Sequence, residues 1–206
     1  MKDFLKEALL SMDRVAVSDI LNGSMSEGFG SFAEVLTEAL EDIGSEWENG
    51  ELALSQVYVA GIISEEVMSS FLGSIPEGPK ANPRIAIGVL EDHHILGKKI
   101  VLSLMRSKGL NVIDYGHGLS PEDVAQRAKE NGIEYLCISS LMLHAAMKVK
   151  DLRLELDKRK CFPKIIVGGA PFRLDRSLWR DVGADAFCSN ASEVFEYLPA
   201  KEEILF

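Results

Sequence analysis

The sequence predicts an α/β protein in two parts, an N-terminal four-helix bundle followed by a doubly wound parallel sheet of five strands. Up to Leu72 the apolar residues recur at helical spacing, with no convincing alternating strand. From Arg84 onward, short β-branched runs alternate with helical stretches, and parallel strands need crossover helices that cover both faces of their sheet. Charge divides at the same place. Residues 1–80 carry 15 Asp or Glu against 4 Lys or Arg, whereas residues 81–206 carry 17 against 18.

In the first part the spacing predicts helices over 4–12, 13–22, 32–47 and 51–72, with glycines 23, 28, 30 and 50 marking the turns. Phe32, Val35, Leu36, Leu40 and Ile43 form one stripe, and Ser31 with Glu34 three residues on fits a capping box at its start. This gives a helical domain over 1–73. The segment 74–83 is a linker, because the run from Gly73 to Arg84 holds three prolines and two glycines, which forbid both helix and central strand. The second domain, 84–206, carries strands over 84–90, 111–114, 135–139, 164–167 and 186–188. Its helices include one closed by Gly109, one started by Ser120-Pro121 and one running to Lys160.

Composition excludes several classes. No apolar run in the 206 residues is long enough to span a bilayer, and the mixed charges of Met1-Lys2-Asp3-Phe4-Leu5-Lys6-Glu7 fit neither a signal nor a transit peptide, so a cytoplasmic address is expected. A net charge of −10 repels phosphate backbones and anionic lipid, so neither nucleic acid nor membrane is an expected partner. Cys137, Cys161 and Cys188 are odd in number and form no C-x-x-C pair, which argues against a disulfide framework and a zinc site.

Ligands of doubly wound sheets bind at the carboxyl ends of the strands, near the switch in strand order. The loop after the first strand reads Glu91-Asp92-His93-His94-Ile95-Leu96-Gly97, and its single glycine does not make a dinucleotide-binding turn. An Asp two residues before a His can accept the imidazole N–H, fixing the tautomer and raising the basicity of the other nitrogen. That suits a metal ligand or a general base; a helix-capping His94 is the plain alternative.

Asp92-x-His94-x-x-Gly97, then Ser139-x-Leu141 after 41 residues, then Gly168-Gly169 after 26 more, resembles the composite motif of the cobalamin-binding domain. That domain is shared by methionine synthase, the corrinoid-dependent mutases and the small corrinoid proteins of anaerobic methyltransferase systems. Gly97-Lys98-Lys99-Ile100-Val101, Val112-Ile113-Asp114, Gly168-Gly169-Ala170-Pro171 and Gly183-Ala184-Asp185 extend the likeness over 84–198. In the first part, Val15-Ala16-Val17-Ser18-Asp19-Ile20-Leu21, the run from Ile43 to Glu51 and Leu54-Ser55-Gln56-Val57 resemble the helical cap preceding this domain in methionine synthase and the methyl-carrying corrinoid proteins.

The resemblance implies a flavodoxin-like, Rossmann-like sheet under a four-helix cap, binding cobalamin with its nucleotide base displaced from cobalt by His94. Asp92 would accept the bond from the other His94 nitrogen. Ser139, Leu141, Gly97, Gly168 and Gly169 would hold the displaced nucleotide tail, glycine suiting a close backbone approach. It implies a methyl group carried on cobalt from a substrate-specific methyltransferase to a second one, with tetrahydrofolate the expected acceptor, and a reductive activase as a further partner. The chain would be a subunit of a methyltransferase system, not catalytic alone. The cap would shield the methyl-bearing face, with the helix near Gln56, Val57, Ala60 and Ile63 as the candidate surface and core packing the better reading of any one aliphatic position there, and would swing on the linker during turnover. A cobamide-binding sensor or storage module is the alternative, while a phosphorylatable receiver lacks its acidic cluster and its Asp after the third strand. The chain departs from the family pattern at Glu91, where glycine is common; at His93, where an aliphatic residue is usual; and at Ala145, where a hydroxyl extends the His-Asp network. His117 is expected on the loop after the second strand.

Overall fold

The computed structural model describes residues 1–25, 28–72 and 84–198. The linker expected over 74–83, and the hinge placed there, lie outside the described residues. The chain divides into two compact units, Met1–Ile75 and Pro76–Phe206.

The first unit contains α1 (Lys2–Leu10), α2 (Arg14–Met25), α3 (Phe29–Glu48) and α4 (Leu54–Leu72). Asp13 starts α2 by accepting the amides of Val15 and Ala16 on Oδ1, satisfying donors that have no partner inside the helix. The capping box expected at Ser31 and Glu34 is not the start of α3. Gly28 is the N-cap, at φ 111° and ψ 161°, so Ser31 lies inside the first turn. Phe32, Leu36 and Ile43 are fully buried, as the stripe predicts, with Leu5, Leu9, Val17 and Leu21 beside them in the core. On α4, Ala60 and Ile63 are fully buried, in line with the core packing expected of any one aliphatic position there. Gln56 serves locally, its Oε1 accepting the Ala53 amide before the helix begins.

The second unit runs β1 (Ile85–Leu90), α5 (Leu96–Ser107), β2 (Val112–Leu119), α6 (Pro121–Glu130), β3 (Tyr135–Ser139), α7 (Leu143–Lys158), β4 (Lys164–Gly168), α8 (Ala170–Leu174), α9 (Leu178–Asp181), β5 (Ala186–Cys188) and α10 (Val194–Tyr197). All strand pairs are parallel, in the order β2-β1-β3-β4-β5. This is the flavodoxin-like order, in which the chain leaves β1 toward one side of the sheet and β3 toward the other.

Alternation builds the two layers. Ala86, Leu136, Ile138, Ile165 and Val167 face a core shared with α6, α7 and Phe172, while Ile85, Ile87, Cys137 and Ile166 face Leu102, Met105 and Val194 on the opposite side. Cys137 and Cys188 belong to this core, and burial pushes both thiols up to about 12, so they remain protonated packing groups. Ser120 caps α6 by accepting the Asp123 amide, ahead of Pro121, as expected. β2 is longer than the sequence predicts. It continues past Asp114 to Leu119, and its pairing with β1 absorbs register shifts at Gly88.

Lys98, in the first turn of α5, is almost fully buried and donates to both Asp114 oxygens on β2, at 2.6 and 2.8 Å. This pair fixes the start of α5 against the sheet edge. Asp114→Ala leaves the ammonium buried without its counter-charge and is expected to cost about 3 kcal/mol, read as a lower urea midpoint with unchanged slope.

Candidate functional site

The reversal of strand order lies between β1 and β3, so the loops following those strands flank a crevice at the carboxyl edge of the sheet. The sequence-predicted residues gather there. Asp92 follows β1 directly and is buried. Its Oδ1 accepts three bonds, from the amides of His93 at 2.7 Å and His94 at 3.2 Å and from the His94 ring Nδ1 at 2.6 Å. Burial opposes ionisation of this carboxyl, but the ring and the two amides outweigh it and hold Asp92 below its ordinary value. An ionised Asp92 places the proton on His94 Nδ1. Nε2 then carries the lone pair, on a side chain that is 48% exposed and therefore reachable.

The turn that delivers Asp92 is held from β2. Glu91 N donates to Leu119 O, and Gly118 N to Asp92 O. Glu91 itself sits in the left-handed region at φ 41°. From the other flank His144, in the first turn of α7, donates Nε2–H to Glu91 O at 3.2 Å, and Lys148 pairs with the Glu91 carboxylate at 3.5 Å.

Gly97, Ser139, Gly168 and Gly169 form the second half of the site. A Cβ on Gly97 would lie 2.9 Å from Ser139 Oγ, so glycine lets α5 approach the end of β3. Ser139 pairs with Gly168 across β3 and β4, and Ser140 N donates to Gly168 O at 3.0 Å. Gly169 adopts φ 114° and ψ −179°, a conformation essentially confined to glycine. Its Cβ would fall 1.9 Å from Ser140 O, where no side chain fits. Leu141 is half-exposed, and Met142, Leu143 and Met147 join it as an apolar patch that the sequence reading left aside. The run Leu141-Met142-Leu143, at the start of a helix after a central strand, was the available signal.

Two further features escaped the sequence. Asp92 Oδ2 and Ser140 Oγ are buried with no hydrogen-bond partner among the described residues. They stand on the two loops that flank the crevice, where a polar ligand would relieve the cost of their desolvation. His117, expected in a loop, lies in β2 and points Nδ1 at Nδ1 of His93, 3.2 Å away. Among the described residues no cluster of three His, Cys, Asp or Glu forms a metal centre. No helix among them is long and apolar enough to cross a membrane.

Residues 84–198 match a family model described as B12 binding domain, and residues 2–70 match a second model of the same description. Among curated proteins, a corrinoid protein of Desulfitobacterium hafniense is 29% identical over 94% of this chain and 94% of its own length. Dimethylamine corrinoid protein 3 of Methanosarcina acetivorans is 31% identical over 82% of this chain and 80% of its own. The solved monomethylamine corrinoid protein of Methanosarcina barkeri shares the fold, with a TM-score of 0.77 at 22% identity over 94% of each chain.

Two substitutions test this geometry. Gly169→Ala combines a backbone strain of about 1–3 kcal/mol with a clash against Ser140 O, and is expected to lower the denaturation midpoint sharply. Asp92→Asn probes linkage. Because the folded carboxyl is held below its unfolded value, its contribution is present above about pH 4 and is lost as pH falls through the folded value. The stability lost between pH 7 and pH 3, measured by urea titration, is expected to be smaller in the variant than in the parent.

Proposed function

This chain belongs to the B12 binding domain family, whose cofactor is a cobamide with a central cobalt, and we propose that it is a corrinoid methyl carrier. The observation that carries the reading is the Asp92–His94 dyad at the switch point, with Nε2 left as the free nitrogen donor. A bound corrinoid would supply a cobalt centre able to hold a methyl group and release it to an acceptor.

The chain's own residues divide the remaining work. His94 Nε2 is the protein ligand to cobalt, in place of the cofactor's own nucleotide base. Asp92 holds the ring in one tautomer and orientation, and as an ionised acceptor it makes Nε2 a stronger donor. Gly97, Gly168 and Gly169, where absent side chains leave backbone accessible, would hold the displaced nucleotide tail together with Ser139. Ser139 and Ser140 offer hydroxyls to its polar groups, and Leu141 with its exposed apolar neighbours covers flat ring surface. The buried oxygens without partners support a polar occupant at this edge.

A carrier is loaded and unloaded by other proteins. The relative named for dimethylamine favours a substrate-specific methyltransferase as the loading partner. A second methyltransferase, with tetrahydrofolate as acceptor, and a reductive activase complete the proposed system.

After reconstitution with hydroxocobalamin and one-electron reduction, the electron paramagnetic resonance of the cobalt(II) form is expected to show hyperfine coupling to one histidine nitrogen. That coupling should move on 15N-histidine labelling and vanish in His94→Ala. Coupling to the nucleotide base in the parent protein would remove His94 from the cobalt.

A further inference from the structure

We propose a second metal site, formed by His93 and His117, that takes a single divalent transition ion of the zinc class beside the corrinoid ligand. The two imidazoles approach with their Nδ1 atoms 3.2 Å apart, ring centroids 5.4 Å apart and planes at 78°. Two nitrogens bound to one tetrahedral Zn2+ at the usual bond length stand about 3.3 Å from each other, so the pair is already set at chelating distance. A neutral imidazole is a favoured ligand of zinc, copper and nickel.

The backbone builds this approach. Gly118 N donates to Asp92 O on one side of the pair, and Glu91 N donates to Leu119 O on the other, tying the β1–α5 loop to the end of β2. Gly118, at φ 65°, is needed here because a Cβ would come within 3.1 Å of His93 Cε1. Both rings are exposed, so water could satisfy their nitrogens separately, and their convergence is not forced by burial. Among the described residues no third His, Cys, Asp or Glu completes a cluster, and water fills the remaining coordination positions. The site requires nothing of the corrinoid: His94 turns its Nδ1 to Asp92 and belongs to the neighbouring centre.

The test uses the full chain, stripped with chelator and titrated with Zn2+ by calorimetry, both corrinoid-free and loaded with hydroxocobalamin. One Zn2+ per chain is expected in both forms, with affinity reduced at least tenfold in His93→Ala and in His117→Ala and retained in His94→Ala. In the unsubstituted, corrinoid-loaded chain, one equivalent of Cu2+ should give an electron paramagnetic resonance spectrum coupled to two imidazole nitrogens, a readout that needs no variant to fold. Absence of saturable binding, or binding lost in His94→Ala but kept in His117→Ala, would leave the two rings merely sharing a proton and overturn the proposal. Failure of the corrinoid to load would show in its own absorption spectrum and leave the zinc measurement standing.

Discussion

A single carboxylate oxygen organises the ligand edge of this sheet. Asp92 Oδ1 collects two backbone amides and an imidazole N–H, and those three donors hold a buried carboxyl below its ordinary value against the opposing effect of desolvation. The amides shape the loop and the ring bond aims His94, so fold and chemistry meet at one atom. Everything that places Asp92 is therefore part of the site. The added length of β2 matters for this reason, because its end at Gly118 and Leu119 supplies the backbone partners that hold the turn.

The two halves of the edge reach their turns by opposite means. Glu91 occupies the left-handed region with a full side chain, a conformation that costs about 1–2 kcal/mol and that glycine adopts freely. It is held there by bonds to its own backbone and carboxylate from Leu119, His144 and Lys148. At Gly169 no such compensation is open, because the obstruction is the backbone oxygen of Ser140 and cannot rotate aside. One turn can carry a side chain under strain; the other cannot carry one at all.

The strands and their order of helices were legible because β-branched runs bounded by turn residues leave little ambiguity, and Ser120-Pro121 marked its helix start correctly. The composite motif likewise led to residues that the fold brings together. Where the reading failed, a local pattern met a constraint it could not express. Ser31 and Glu34 have capping-box spacing, but Gly28 can adopt the backbone that begins α3 one turn earlier. The second strand is expected to end at Asp114, yet positive-φ Gly116 and Gly118 let it bulge and keep pairing with β1 to Leu119. His93 and His117 are 24 residues apart, and only strand register brings them together.

The resemblance marks Ala145 as a departure from the family pattern. Ala145 is fully buried and has no hydroxyl, and the second oxygen of Asp92 has no hydrogen-bond partner among the described residues. There the network runs from His94 to Asp92 and ends, so the proton on Nδ1 has only Asp92 Oδ1 within reach. The bonded oxygen is shared with two backbone amides, so the ring bond is one of three that stabilise its charge. The consequence falls on His94 Nε2, whose donor strength rises as the proton on Nδ1 is drawn toward Asp92. With no hydroxyl at Ala145, the dyad still holds a proton in place between His94 Nδ1 and Asp92 Oδ1.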